Sequence, residues 1–329
     1  MKKLFTPFVL LILFAFTSCE TEVDLIGEFK ETTIIYGLLN QNDSVHYIRI
    51  NKAFITYENA FEVAKIEGIN EYDPDSVKVF LVEKDEDGYL LDRVEFDTVT
   101  YYTKPGDFNS KKLYYTGIKV LNDDNKYEIV VKPANTDSAY AKTELVRDFQ
   151  IIIPRPFGSA SFISPTGAPQ SFKWNPSRYG KKYETGIYFY YKEKRSDMAD
   201  SLTRVVEWPI GSLTVSNPGN PPGEESISYI PETFFQICEN QIPYDDPQEE
   251  AKVSGRRPVS VDYLISVASD DFNTYMEVNN TSGIVQDRSI YTNVENGIGL
   301  FSSRYDKIRS KPLNLETLLR LRDMGLKFE

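Results

Sequence analysis

Ile34-Ile35-Tyr36-Gly37-Leu38-Leu39 and Ser44-Val45-His46-Tyr47-Ile48-Arg49-Ile50 flank a polar turn, Asn40-Gln41-Asn42-Asp43. The second run alternates apolar and polar residues with period two, as a strand does when one face lies on a core. With the β-branched first run it predicts an antiparallel hairpin. The same pattern returns twice. Val77 to Glu83 and Tyr89 to Phe96 flank Asp85-Glu86-Asp87-Gly88, and Tyr114 to Leu121 and Lys126 to Val131 flank Asn122-Asp123-Asp124-Asn125. Gly, Asn and Asp tolerate left-handed backbone, so these tetrads read as turns between paired strands. A chain with 22 Tyr and 20 Phe suits pleated sheet throughout.

Further along, Ile151-Ile152-Ile153-Pro154-Arg155-Pro156 reads as an extended crossover, because each proline biases its predecessor away from helix. It predicts a boundary between an N-terminal β-sandwich, residues 31–150, and a second unit, residues 151–329. In that second unit Ser159 to Ile163, Ser171 to Trp174, Tyr183 to Lys192, Leu202 to Trp208 and Val259 to Ala268 read as strands. A Trp ending one strand and a Tyr-rich strand after it resemble a fibronectin type III-like sandwich. Helices are predicted at Pro231 to Asn240, at Asp271 to Val278 behind the cap Asp270, and at Leu315 to Met324 between Asn314 and Gly325. Residues Asn217 to Arg257 exceed what a minimal sandwich needs and read as an insert. The expected fold is all-β with minor helices: two β-sandwich domains, the second fibronectin type III-like with a helical insert (217–257) and a C-terminal helix.

The front of the chain reads as an address. Met1-Lys2-Lys3 is basic, and Phe8 to Phe16 is an apolar run of nine. That is far short of the roughly 20 residues a spanning helix needs. Phe16-Thr17-Ser18-Cys19 has the form of a bacterial lipobox, with Phe16 in place of the usual leucine. Residues 1–18 are thus expected to be a signal peptide, Cys19 the lipidated residue, and 19–30 a tether. Bacterial lipoproteins carry several acyl chains, and several chains hold a membrane where one does so only marginally. The acidic Glu20-Thr21-Glu22-Val23-Asp24 resembles the signal that carries Bacteroidota lipoproteins to the outer face of the outer membrane. A merely solvated tether has the same composition.

Charge and residue supply narrow the chemistry. A net charge of −12 argues against nucleic acid, whose phosphates need clustered Lys and Arg. With Cys19 acylated, Cys238 has no partner for a disulfide, and its setting in Phe234-Phe235-Gln236-Ile237-Cys238 reads as a buried small hydrophobe. His46 is the only histidine and lies on an alternating strand, so a structural place is expected rather than a catalytic one. Transition metals generally want several His or Cys, so no transition-metal site and no cofactor is expected. Calcium needs only oxygen ligands and stays open at the acidic turns. Asp85 to Gly88 faintly resembles half a calcium loop, but Val94 stands where its bidentate Glu belongs. Gly297-Ile298-Gly299 lacks the helix start of a phosphate cradle. Tyr101-Tyr102, Tyr114-Tyr115 and Tyr188-Phe189-Tyr190-Tyr191 place neighbouring rings on opposite sheet faces, so one of each pair is expected to point outward.

Several segments belong together: the lipobox, Ile34 to Gly37, Ser76-Val77-Lys78-Val79, the proline-rich crossover, Phe172-Lys173-Trp174, Asp271-Phe272-Asn273-Thr274-Tyr275, and Tyr291 to Phe301. In that order they resemble the Bacteroidota lipoprotein family called domain of unknown function 4249. The most specific is Asn293-Val294-Glu295-Asn296-Gly297-Ile298-Gly299-Leu300-Phe301. The resemblance implies an outer-membrane location and no catalytic residues. Members are often encoded near TonB-dependent transporters, which makes such a transporter the implied partner. The expectation is therefore a non-catalytic binding or accessory protein. Its alternative is a glycan-acting hydrolase with paired carboxylates. Within the insert, Tyr244, Asp245, Asp246, Glu249 and Glu250 are the expected partner-binding residues.

Overall fold

The computed structural model describes residues 31–53, 59–102, 111–197, 199–221, 223–243, 252–280 and 291–329. Among the described residues, fifteen strands in three sheets dominate, with four short helices. In the N-terminal half, β1 (Thr33–Leu39), β2 (Val45–Lys52), β5 (Asp97–Tyr102) and β6 (Lys111–Ile118) lie in the large sheet. Opposite them stands a four-stranded sheet of β3 (Val77–Lys84), β4 (Leu90–Glu95), β7 (Lys126–Pro133) and β8 (Ala139–Glu144), in the order β4-β3-β7-β8. The alternation places Ile35, Leu39, Ile48 and Ile50 inward against Val79, Leu81, Ile129 and Val131.

The second half repeats the two-layer plan. A sheet of β9 (Ile151–Ile153), β10 (Gln170–Trp174) and β13 (Glu225–Tyr229), ordered β13-β10-β9, faces β12-β11-β14-β15. Those four are β11 (Lys182–Arg195), β12 (Leu202–Thr214), β14 (Val253–Ala268) and β15 (Gly297–Lys311). Three strands facing four, so ordered, is a fibronectin type III-like arrangement. Aromatic rings fill the space between: Trp174 stacks on Tyr183 at 5.7 Å, and Phe172 meets Tyr263 edge-on at 5.5 Å. Such pairs add about 0.5–1.5 kcal/mol each beyond their buried area.

Thr32 to Glu329 forms one compact unit with two hydrophobic cores. The chain leaves the first core at Leu145 and enters the second at Val146. One eight-stranded sheet, β12-β11-β14-β15-β1-β2-β6-β5, runs through both. Strand β15 makes the join. Its first seven residues pair parallel with β1, from Thr33↔Gly297 to Leu39↔Ser303, and Arg304 to Lys311 pair antiparallel with β14. Phe301 belongs to the first core and Tyr305 to the second.

Three expectations are corrected. Strands β6 and β7 do not form a hairpin: β6 joins the large sheet and β7 the four-stranded one, so Asn122 to Asn125 crosses between layers. Residues Ser159 to Ile163 form no strand beyond one bridge, Ala160↔Leu313. The segment from Asn217 to Arg257 is not an accessory insert in its described parts. It supplies β13, the beginning of β14, and the helix α2 (Thr233–Gln241), whose Phe234, Phe235 and Cys238 are core residues. Phe234 stacks on Phe162 at 4.0 Å.

The helices α1 (Ala60–Val63), α3 (Asp270–Asn280) and α4 (Leu315–Asp323) complete the unit. Asn314 caps α4 by accepting from Thr317 N, and Gly325 leaves the helix at φ 71°. These are the local devices the sequence predicts.

The close approach of β1 and β15 depends on Gly299. Its φ is +121°, and a Cβ there would lie 2.0 Å from the Ile35 carbonyl oxygen. Both the backbone conformation and the neighbouring main chain exclude a side chain. Gly299→Ala is expected to destabilise by about 2 kcal/mol or more, since strained backbone of this kind alone costs about 1–3 kcal/mol. Urea unfolding measures it; an unchanged midpoint would show that the strands tolerate separation.

Candidate functional site

The outer face of the large sheet is the most distinctive accessible surface. On β2, His46, Ile48 and Ile50 point inward, which leaves Tyr47 outward; on β6, Leu113 and Tyr115 point inward and Tyr114 outward. Tyr47, Tyr101 and Tyr114 form a run of edge-to-face contacts at 5.8 and 5.7 Å. Tyr47 is 44% and Tyr101 45% exposed. Nearer the centre of the sheet, Tyr36 from β1 is 41% exposed and meets Tyr275 of α3 at 6.2 Å. The hydrogen bond between Tyr47 and Tyr101 raises the Tyr101 phenol above its ordinary pKa.

On β11, Phe189 and Tyr191 are buried while Tyr188 and Tyr190 are half-exposed on the outer face, as period two requires. In the first half, Tyr115 is buried, and desolvation pushes its phenol up to about 12. Tyr101 and Tyr102 are both exposed, so that pair does not divide between faces in burial.

The other candidate residues fall into structural places. His46 is buried, and its Nε2 lies 2.8 Å from the Lys119 carbonyl oxygen, where a neutral ring donates. Burial pushes Cys238 above the ordinary thiol range, so it is an inert core residue. Asp85 to Gly88 is a hairpin turn: Asp85 Oδ1 accepts from Tyr89 N at 2.7 Å, and Gly88 has φ 91°. Gly297 and Gly299 serve the strand approach and are no phosphate loop. Among the described residues no group of three or more His, Cys, Asp or Glu is placed to hold a metal ion, and no helix is long and apolar enough to cross a membrane. Cys19, Tyr244, Asp245, Asp246, Glu249 and Glu250 lie outside the described residues.

Asn293 to Phe301 turns out to be a joint. Asn293 Oδ1 accepts from Phe301 N at 3.0 Å, and its Nδ2 donates to Phe301 O at 2.7 Å and to Asp271 Oδ2 at 3.0 Å. The Tyr291 hydroxyl donates to the other Asp271 oxygen. Glu295 bridges to Tyr140 of β8. The segment thereby ties α3, β8 and β15 together. Two segments that carry the family resemblance thus meet in one polar cluster, whose visible work is architectural.

Between α3 and the sheet lies a groove of about 210 Å³ lined by Glu184, Asp306, Phe272 and Met276 among others. Each carboxylate is ion-paired, Glu184 to Lys182 at 2.9 Å and Asp306 to Arg304 at 3.5 Å. Its volume falls below the roughly 300–1,000 Å³ usual for ligand pockets.

No protein-family model matches the chain, and no curated protein does. Among solved structures, trypsin-activated alpha-2-macroglobulin from Escherichia coli aligns with 74% of this chain at 11% identity. The TM-score is 0.17, and the aligned part spans 15% of that protein, so the likeness carries no argument.

His46 gives a pH test. Burial holds its pKa below the ordinary 6.5, against the opposing pull of the Lys119 carbonyl and the Asp43 carboxylate. The unfolded chain alone then takes up a proton as pH drops below 6.5. Stability from this group is complete above that value and is lost as pH falls through the folded-state pKa. The lowered carboxylates Glu83 and Asp148 act at lower pH, below their ordinary 4.5 and 3.8. The urea midpoint is therefore expected to fall between pH 7 and pH 5, and His46→Gln to flatten that segment. A wild-type midpoint that is flat across the segment would refute a buried neutral ring.

Proposed function

We propose that this protein is a lipid-anchored, non-catalytic binding or accessory protein of the bacterial outer membrane, working beside a TonB-dependent transporter. The observation that carries the binding part is the tyrosine run Tyr47–Tyr101–Tyr114 on a broad sheet face, with Tyr47 and Tyr101 exposed and Tyr114 half-buried beside them. Tyrosine supplies large contact area with few rotamers to freeze and a hydroxyl at the rim, which is why it anchors interfaces. Edge-to-face contacts hold these rings in place before any partner arrives, so little ordering entropy is lost on binding.

The anchoring part rests on the lipobox at Phe16 to Cys19 and the short apolar run before it. Membership of the domain-of-unknown-function 4249 family, surface exposure and the transporter partner belong to the same proposal and rest on the sequence resemblance. The hydrolase alternative gains no specific support from the tyrosine face, which is a sheet surface and not a cleft between carboxylates.

Two variants test the two parts separately. Cys19→Ala is expected to fold normally and leave the membrane; retention in the pellet after a high-salt wash would defeat the anchoring claim. Tyr47→Ala/Tyr101→Ala is expected to remain anchored and to unfold within about 1 kcal/mol of wild type, because both rings are surface groups. Affinity capture of the anchored protein should recover an outer-membrane transporter, and recovery should fall severalfold in the double variant. Equal recovery from both would remove the tyrosine face from the proposal.

A further inference from the structure

At the far end of the second sandwich, β11 and β14 enclose a groove of about 760 Å³. Its lining holds five cations, Lys192, Lys194, Arg195, Arg256 and Arg257, against one acid, Glu329, which lies over Gly255. Two of the five have structural duties. Arg256 is 3% exposed, and its guanidinium meets Glu193 Oε2 at 2.9–3.0 Å and donates to the Leu326 and Pro243 carbonyls. Arg195 leans toward Glu193 and Asp197 at 3.9 and 4.0 Å.

The other three are different. Lys192, Lys194 and Arg257 are exposed, and among the described residues none has an ion-pair partner. Lys192 and Arg257 are direct cross-strand partners, with Lys194 two residues along the same face. Cross-strand Cβ atoms sit about 5 Å apart, and like charges so placed are destabilising. The neighbour on the same strand face is about 7 Å away. In a chain with 49 acidic and 37 basic residues, a carboxylate was the statistically easy neighbour. The sheet instead gathers, at the mouth of a groove, three cations that have no ion-pair partner among the described residues.

We infer that this groove is a binding site for an anionic oligosaccharide bearing sulfate or phosphate esters. The cation triplet supplies a point-charge pair and a planar fork, which suits tetrahedral oxyanions. Ser201 adds a hydroxyl to the lining, and Ser196 Oγ, which accepts from Lys252 N, still has a proton to donate, whereas Ser254 donates to the Lys194 carbonyl. Among the described residues, no aliphatic or aromatic residue lines the groove. A protein interface wants an apolar centre, and single-stranded nucleic acid wants stacking rings, so both fit this lining poorly. The site is separate from the tyrosine face and does not rest on the lipid anchor.

The test uses the full chain purified in detergent and a fluorescent heparin hexasaccharide, with binding read by anisotropy at low salt. Wild type is expected to bind and to weaken as salt is added. The variant Lys192→Gln/Lys194→Gln/Arg257→Gln should lose about tenfold or more in affinity, as removal of three charge contacts requires. The control Lys78→Gln/Lys132→Gln/Lys142→Gln carries the same charge change on the first sandwich and should lose less than about twofold by the same reasoning. Unfolding midpoints should show the groove variant at least as stable as wild type, since a like-charge pair has gone. Inorganic pyrophosphate should compete, and poly-L-glutamate should compete weakly. Absence of heparin binding, equal losses in the two variants, or tighter binding of poly-L-glutamate would each overturn the saccharide assignment. So would binding that appears only after Asp245 to Glu250 are deleted, because the anion served would then be the chain's own.

Discussion

The change of pairing partner along β15 is the constraint on which the rest depends. One strand pairs parallel with β1 over Gly297 to Ser303 and antiparallel with β14 over Arg304 to Lys311. Neither sandwich has a complete layer without it. The hydrogen bonds around the crossover explain why the change is stable. Ser303 donates through Oγ to the Glu144 carbonyl at 2.7 Å and accepts from Val146 N at 3.0 Å, at the point where the chain changes cores. Ser302 is fully buried and bonds Ser269 at the foot of α3. The Ser303 hydroxyl thus satisfies two main-chain groups that a ladder would otherwise pair, while the Ser302 hydroxyl is satisfied by that of Ser269.

Charge is used sparingly inside and unevenly outside. The buried Arg256–Glu193 pair is surrounded by further acceptors, the condition under which burying an ion pair is tolerable. In the first sandwich, Lys119 bridges Glu83 and Asp92 at 2.6 Å each, and Asn125 and Tyr127 also bond Glu83. These contacts outweigh the burial that would raise Glu83 and leave it below the ordinary carboxylate range. Against such well-compensated clusters, the open cations of the β11–β14 groove stand out as groups the fold does not need.

Local signals were legible and non-local ones were not. The β1–β2 and β3–β4 hairpins, the Asn314 cap and the Gly325 stop follow from neighbouring residues, and the sequence reading finds them. The β6–β7 connection was misread because Asn122 to Asn125 has the same turn chemistry whether it links strands of one sheet or of two. Strand β13 was hidden because Glu225-Ser226-Ile227-Ser228-Tyr229 is short and follows a Pro/Gly-rich stretch. Period two makes the outward Tyr114, Tyr188 and Tyr190 legible, but not Tyr101 and Tyr102, which are both exposed. The cation groove was not, because Lys192 and Arg257 become neighbours only through the β11–β14 register. Gly297 and Gly299 looked unremarkable until the Thr33 and Ile35 carbonyls were placed against them.

Pairing the first described strand with the last has a consequence for how the chain matures. Asn42 bonds the carbonyl of Asp306 across 264 residues of sequence, and β1 gains its parallel neighbour only when Gly297 to Ser303 are present. Contacts of such range make folding slow, because the closure of a very long loop comes before the contacts that reward it. A chain synthesised from its N-terminus therefore has one flank of its central sheet unmatched until Gly297 to Ser303 have been made. Ordering of the full sheet waits on that late segment, and the earlier strands stay without their final neighbour until then.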